Sequence, residues 1–583
     1  MQEYIDTLKK HWVVVALLLV IAGAFWVRFY HFDEWLYFKM DQSRDALLIG
    51  NALENGPGYL PLLGARVGAV QLEHGFLRLG PAYYYFQYLS GAIFHSADPA
   101  VFAYPDLFFS IAVIPLLFLF LRLYFSRRHA LFIVTMYAFS FLIIQYSRFA
   151  WNPNSLPFFI ILSFYGLLRF LNDGRPHQKK WWLVLWASGI TIGSQLHFFG
   201  FFSLLGISGL LILSHLRVWN RERLNSLFQK NMLKKFARFV VIAGATVLVL
   251  YTPVIISDVM EGGQNTKNFI EALTAKADKK PMPQKLQKAV EENLNYYCLL
   301  TTSSCYTSDW KKNALPIGAT GFVLVAGLFL SIWRLRSEKN QLSRDFIMLT
   351  LLWFGVFSVL TIPVAFQLRP RFYIVVFALP FILLGFVYEF LEKRFGPKAL
   401  VATALITAAV LAANMRGTAL WFMEQASAQV QTTDTKRTLI LKNKDGVTLG
   451  QLDGVTDWMY ARYHEGDTLY YYVKPEHERP INFLLKEKGN KDLRFTTVKI
   501  NQDPHAQFFA ITPAKNGLDP VIKKFKQGIL VIDSQQFGQL LVSEIVFSDR
   551  IVSDSFRMKN EGGGEDRLFW KDVLVFQSEK KKE

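Results

Sequence analysis

The sequence reads as a polytopic α-helical membrane protein carrying a C-terminal α/β domain. Three features predict this: its apolarity, the length of its apolar runs and the placement of its basic residues. Of 583 residues, 52% are hydrophobic and 15% aromatic, and only 19% are charged, which is more apolar than a soluble chain of this size. The apolar residues gather into runs such as Trp12–Tyr30, Val101–Tyr124, Ala130–Tyr146 and Phe236–Ile256. Each is near the ~20 residues that a helix needs to cross hydrocarbon. Basic residues collect between the runs, at Arg122–His129, Arg175–Lys180, Arg217–Arg238, Trp333–Arg344 and Lys393–Lys398, as in cytoplasmic loops. That placement accounts for the net charge of +18 without invoking nucleic acid.

With Lys9 and Lys10 taken as cytoplasmic, about eleven helices are expected. They are Trp12–Phe29, Tyr104–Tyr124, Ala130–Ser147, Leu156–Leu171, Trp181–His197, Phe199–Leu216, Phe236–Ile256, Ala314–Trp333, Phe346–Phe366, Phe372–Leu391 and Ala399–Met415. An odd number leaves the tail opposite the N-terminus, which makes residues 1–415 a membrane domain and 416–583 an extracytoplasmic soluble domain. The tightest turn falls near His197–Gly200. The first apolar run also has features of a cleavable signal, with Ala22-Gly23-Ala24 as a small-residue site, but apolar sequence continues to Phe29 and more spans follow.

The loop 30–103 has Gly and Pro punctuation, charges of both signs and many aromatics; Trp35, Tyr37 and Phe38 suit amphipathic helices at headgroup level. A second loop of size, Ser257–Asn313, is lysine-rich and holds both cysteines, Cys298 and Cys305. Outside the membrane a disulfide between them could persist, the other reading being two unpaired thiols. In the tail, Thr468–Val473, Gly528–Ile532 and Val573–Phe576 read as strands, and Gly562–Gly564 as a turn rather than a phosphate loop.

Neither GxxxxGK[ST] nor a strand–GxGxxG–helix pattern occurs, so direct use of a nucleotide-activated substrate is not expected. Polar residues from distant segments share the noncytoplasmic helix ends: Asp41, Arg44 and Asp45; His74 and Arg78; Arg148, Asn152 and Asn154; Gln195 and His197; Arg369 and Arg371. Ionisable groups beside hydrocarbon are costly unless paired or facing a wet cavity, which makes them functional candidates, with interfacial anchoring as the competing role.

The segment Asp41-Gln-Ser-Arg-Asp45, followed by Leu79-Gly-Pro-Ala-Tyr-Tyr-Tyr85, resembles the multi-spanning GT-C glycosyltransferases, specifically the protein O-mannosyltransferase and aminoarabinose transferase family. There a "D-E-x-R" signature supplies the catalytic Asp and a "P-P-L-x-Y-W" stretch follows. Asp41 and Arg44 match the signature, with Gln42 in place of its second acid. Ser147-Arg-Phe-Ala-Trp-Asn-Pro-Asn154 is similar to the family's "S-R-x-x-x-x-D-S" element, but Pro153 stands where its Asp would be. Arg371-Phe-Tyr373 with Pro380 is similar to its "R-Y-x-x-x-x-x-P" helix. The pair Asp33-Glu34 is a rival match to the acidic signature, although the Arg and the helix-like Ala46–Leu53 segment accompany Asp41.

The resemblance implies an integral-membrane enzyme of the plasma (inner) membrane that moves a sugar from a polyprenyl-phosphate donor to the hydroxyl of a glycan, a lipid-linked molecule or a protein. Asp41 would be the base, with Arg44, Asp45 and His74 supporting the loop. Arg78, Arg148 and Arg371 would take the donor phosphate. Tyr83, Asn152, Asn154, Gln195, His197 and Tyr373 would contact substrate. A single displacement inverts the anomeric centre, whereas retention needs a second carboxylate, for which Asp45 is the nearby candidate. No cofactor is called for; a divalent metal on Asp41, Asp45, His74 and His197 has no diagnostic ligand spacing. The alternatives are a transporter or flippase of a lipid-linked substrate, which inverted repeats and broken helices would mark, and a ligase or polymerase of whole lipid-linked glycans.

Overall fold

The computed structural model describes residues 2–67, 72, 75–218, 220, 229–274, 280–305, 310–440, 446–488, 506–526, 528–548 and 567–573. His74 and Gly562–Gly564 lie outside the described residues. Among those described, seven helical segments are long and apolar enough to cross a membrane: His11–Phe29, Pro99–Leu121, Phe198–Leu216, Phe236–Met260, Lys312–Ser337, Gln341–Thr361 and Leu379–Val430. The last joins two helices, Leu379–Phe395 and Ala399–Val430, through a short 3-10 turn. Leu156–Asn172 and Pro176–Leu196 are also helical, and they pack backbone to backbone. A Cβ on Gly189 would fall 2.8 Å from the Ser163 nitrogen and one on Gly166 2.8 Å from the Trp186 nitrogen, so only glycine permits the approach, as is common between helices in membranes.

Helix ends follow local chemistry. Asp98 caps Pro99–Leu121 by accepting from the Ala100 N–H at 2.7 Å, with Pro99 in the first turn, where it needs no partner for an N–H. His197, extended at φ −157°, is the single nonhelical residue between Pro176–Leu196 and Phe198–Leu216. The expected continuous helix Ala130–Ser147 is instead two, Arg127–Ala138 and Phe141–Tyr146. The break at Phe139–Ser140 is tolerated because its polar groups find partners. The Phe141 N–H donates to Asn414 Oδ1 (2.9 Å), and Ser140 Oγ donates to the Leu300 carbonyl (2.7 Å). Phe372–Leu391 also divides, into a 3-10 segment Pro370–Val376 and the helix Leu379–Phe395, which restarts with Pro380 near its beginning.

Ala399–Val430 continues through residue 416 without interruption, and the rest of the tail follows it. The tail holds a four-stranded sheet of β1 Thr468–Tyr472, β2 Ala506–Pro513, β3 Ile529–Phe537 and β4 Leu540–Phe547, in the order β1-β2-β4-β3. β1 and β2 are parallel and the other pairs antiparallel. Val573, expected in a strand, ends one helical turn, and 574–576 lie outside the described residues.

The first loop carries two helices, Met40–Asn55 and Ala82–Phe94, while Trp35, Tyr37 and Phe38 are buried in the turn that precedes them rather than on a helix. The tail rests on this loop. The Leu449 and Gly450 N–H groups donate to the carbonyls of Leu36 (2.9 Å) and Glu34 (3.0 Å), and the Phe38 and Phe483 rings pack edge to face. In the second loop, Gln264–Thr274 and Met282–Thr302 are helical, and Cys298 and Cys305 form a buried disulfide.

Candidate active site

Asp41 lies in the first turn of Met40–Asn55, where the helix N-terminus favours negative charge. Gln42, which replaces the acid of the family signature, helps hold that turn by accepting from the Lys39 N–H at 3.2 Å. One helical turn separates Asp41 from Asp45, and Arg44 joins them: its Nη1 reaches Asp41 at 3.1 Å and its Nη2 reaches Asp45 at 2.8 Å. The two carboxylates differ in environment. Asp45 is 4% exposed and also accepts from the Tyr84 hydroxyl at 2.9 Å, whereas Asp41 is 55% exposed. Burial pushes the Asp45 carboxyl above the usual carboxylate range, against the opposing pull of Arg44. Asp45 is therefore a structural anchor, and Asp41 is the carboxylate of the pair that faces the surface.

Arg371, at the start of the 3-10 segment, lies within electrostatic reach of Asp41 and Tyr146. Its guanidinium stands 5.9 Å from the Trp151 ring and 5.4 Å from Phe372, and it makes no hydrogen bond or ion pair among the described residues. His197 adjoins the same group. Its Nδ1 accepts from the Phe199 N–H at 3.2 Å, which leaves Nε2 to carry the proton of the neutral ring, and Arg371 acts on it electrostatically. Asp41, Arg44, Arg371 and His197 thus bring an open carboxylate, cationic groups and an N–H donor to one region.

Arg148 points elsewhere. Its Nη1 donates to the carbonyls of Val27 (3.2 Å) and Arg28 (2.5 Å), and its Nη2 donates to that of His31 (3.1 Å). It therefore closes the C-terminus of the first helix, whose carbonyls lack helical partners. Asn152 donates to the Leu196 carbonyl at 2.5 Å, tying its turn to the end of Pro176–Leu196, and Asn154 donates to that of Phe149 at 2.8 Å, holding the turn itself. Gln195 donates to the Leu250 carbonyl at 3.1 Å and lies against Gly80, where a Cβ would fall 2.3 Å from the Gln195 side chain. Tyr373 is fully buried and donates to Asn293 at 3.1 Å. The Arg78 backbone pairs with Asn265, tying the first loop to the second. Arg369 donates to the Leu368 carbonyl at 2.8 Å. Glu34 bonds His31 at 2.7 Å, and its carbonyl receives Gly450 of the tail, so this member of the rival acidic pair lies at the junction with the tail.

Asp106 was not among the expected site residues. This wholly buried carboxylate accepts from the Tyr83 hydroxyl (2.7 Å), the Trp151 N–H (2.9 Å) and the Ser155 hydroxyl (2.5 Å). It thereby engages the Tyr83 hydroxyl and ties the Ala82–Phe94 helix to the turn that carries Trp151. A lone carboxylate in an apolar run was the available signal.

These groups lie on the loop side of a many-helix membrane bundle, and residues 11–255 match the family model described as dolichyl-phosphate-mannose-protein mannosyltransferase. The fold is similar to that of ArnT from Cupriavidus metallidurans in the apo state, with a TM-score of 0.55 at 12% identity over 92% of this chain and 98% of that one. The same protein bound to undecaprenyl phosphate gives 0.52 at 13% identity over 90% and 97%. No curated protein sequence matches the chain.

Proposed function

We propose that the chain transfers a sugar from a polyprenyl-phosphate donor to an acceptor hydroxyl at the extracytoplasmic face of the plasma membrane, with inversion. The observation that carries this reading is the pairing of an open carboxylate, Asp41, with an uncommitted guanidinium, Arg371, in one region. The acceptor oxygen attacks the anomeric carbon as Asp41 takes its proton, and the bond from that carbon to the phosphate oxygen breaks. Polyprenyl phosphate departs with the electron pair, and Arg371 stabilises its charge. Asp45 is held by Arg44 and Tyr84 and is not available as a nucleophile, which favours single displacement. The undecaprenyl phosphate bound by the similar ArnT supports the donor class.

Sidedness has its own support. At the other end of the bundle, Arg334, Lys393 and Tyr124 gather on Glu389, and His129 pairs with Glu392, concentrating the basic loops away from Asp41. The test is to extract the lipids that purify with the protein and measure their masses. A polyprenyl phosphate, bare or carrying a sugar, is expected. Phospholipid alone, with no retention of added undecaprenyl phosphate, would contradict the donor assignment.

A further inference from the structure

The last described stretch, 567–573, returns to the first loop and pairs with it. The Leu62 N–H donates to the Leu568 carbonyl at 2.9 Å, and the Trp570 N–H donates to that of Leu60 at 3.1 Å. The Trp570 indole donates to the Tyr85 hydroxyl at 2.9 Å, and that hydroxyl donates to the Pro61 carbonyl at 3.1 Å. The Lys571 ammonium stands 4.0 Å from the Tyr59 ring centroid, and a Cβ on Gly58 would lie 3.6 Å from the Lys571 Cβ. Backbone pairing, an indole hydrogen bond and a cation over a ring together fix this strap in one place.

That place sets Arg567 beside the catalytic helix. Its guanidinium is 5.9 Å from the Tyr84 ring centroid and within hydrogen-bonding reach of the Tyr84 hydroxyl. Tyr84 donates to Asp45 at 2.9 Å, Asp45 holds Arg44 at 2.8 Å, and Arg44 reaches Asp41 at 3.1 Å. We propose that Arg567 is a positioning residue for Asp41, acting through Tyr84, Asp45 and Arg44, and that the C-terminal strap is part of the active site. This rests on the reading of Asp41 as the base.

The direction of the effect follows from hydrogen-bond cooperativity. A guanidinium at the phenol oxygen strengthens the phenol O–H as a donor to Asp45. Asp45, satisfied from that side, then shares Arg44 with Asp41 instead of taking it entirely. Without Arg567, Arg44 turns to Asp45 and Asp41 loses the contact that sets its rotamer. A displacement of about 1 Å in a reacting group costs on the order of 100-fold in rate.

The test uses the full-length protein and reads release of undecaprenyl phosphate from an extract of undecaprenyl-phosphate-linked sugars. Arg567→Met should lower kcat about 10- to 100-fold and leave the donor KM within about twofold. Arg567→Lys should recover part of the loss. The Arg567→Met/Tyr84→Phe double variant should be no slower than the slower single variant, because the two act in one relay. Arg567→Leu, which also removes the donors, serves if the Met variant does not fold. Additive losses, or a change in KM alone, would overturn the relay. An Asp41→Asn arm separates the two levels: if Asp41→Asn is inactive and Arg567→Met turns over normally, only this inference fails. If Asp41→Asn turns over normally, the reading of the site fails and the inference fails with it.

Discussion

Arg148 and Arg371 stand in equivalent positions in the sequence, each at a helix end and each matching a family motif, yet their side chains meet different partners. Arg148 closes the first helix on three carbonyls, while Arg371 has no hydrogen bond or ion pair among the described residues. Arg371→Ala should therefore weaken binding of undecaprenyl phosphate by about 1–3 kcal/mol, the worth of a charge-assisted contact, and Lys should substitute poorly for a bidentate guanidinium. Arg148→Ala should leave that binding unchanged and lower the melting temperature, both measurable on purified protein. Lost affinity in the Arg148 variant with unchanged melting would reverse these assignments. Asp106→Ala removes the acceptor of three buried donors and should cost about 2–5 kcal/mol of stability; a variant that melts like the parent would show those donors to be satisfied otherwise. The contact of Asp41 with Arg44 was legible from residue type and spacing. What residue type does not encode is where a long side chain points, and the partners of Tyr83, Tyr373, Asn152, Asn154 and Gln195 within the protein were not legible.

At the scale of elements, run length located most helices, because hydrocarbon crossing demands length and apolarity; the caps that Asp98, Ser126 and Asn340 form at helix starts came with the structure. The interruptions were not legible. Ala130–Ser147 is apolar enough to read as one span, and the reason it breaks lies hundreds of residues away in Asn414, which accepts from Phe141 and donates to the Thr301 carbonyl at 2.7 Å. Asn414→Leu should strand both groups in an apolar setting and cost about 1–3 kcal/mol per group, read as a fall in thermal stability in detergent. If melting is unchanged, water or another side chain completes the break. The 3-10 turn that carries Arg371 was equally hidden, because Pro380 marks where the next helix starts but not how the preceding residues coil.

Taken whole, the molecule places the tail domain, the first loop and Asp41 at one end and the basic helix termini around Glu389 at the other. Single cysteines introduced in the tail after Val430 should react with an impermeant thiol reagent on intact cells, and cysteines within Arg217–Arg238 should react only after permeabilisation. The opposite pattern would move the site to the cytoplasmic face. The central claim is that Asp41 is the base of a lipid-linked sugar transfer, and it is tested most directly by turnover of Asp41→Asn with isolated polyprenyl-phosphate-linked sugar and no nucleotide sugar. Asn keeps the shape without the basicity, so the rate should fall about 10²–10⁴-fold while undecaprenyl phosphate still binds. Asp33→Asn and Glu34→Gln, the latter at the junction with the tail, should retain most of the activity. Normal turnover by Asp41→Asn alongside an inactive Asp33→Asn or Glu34→Gln would contradict the assignment and give the base to the rival pair.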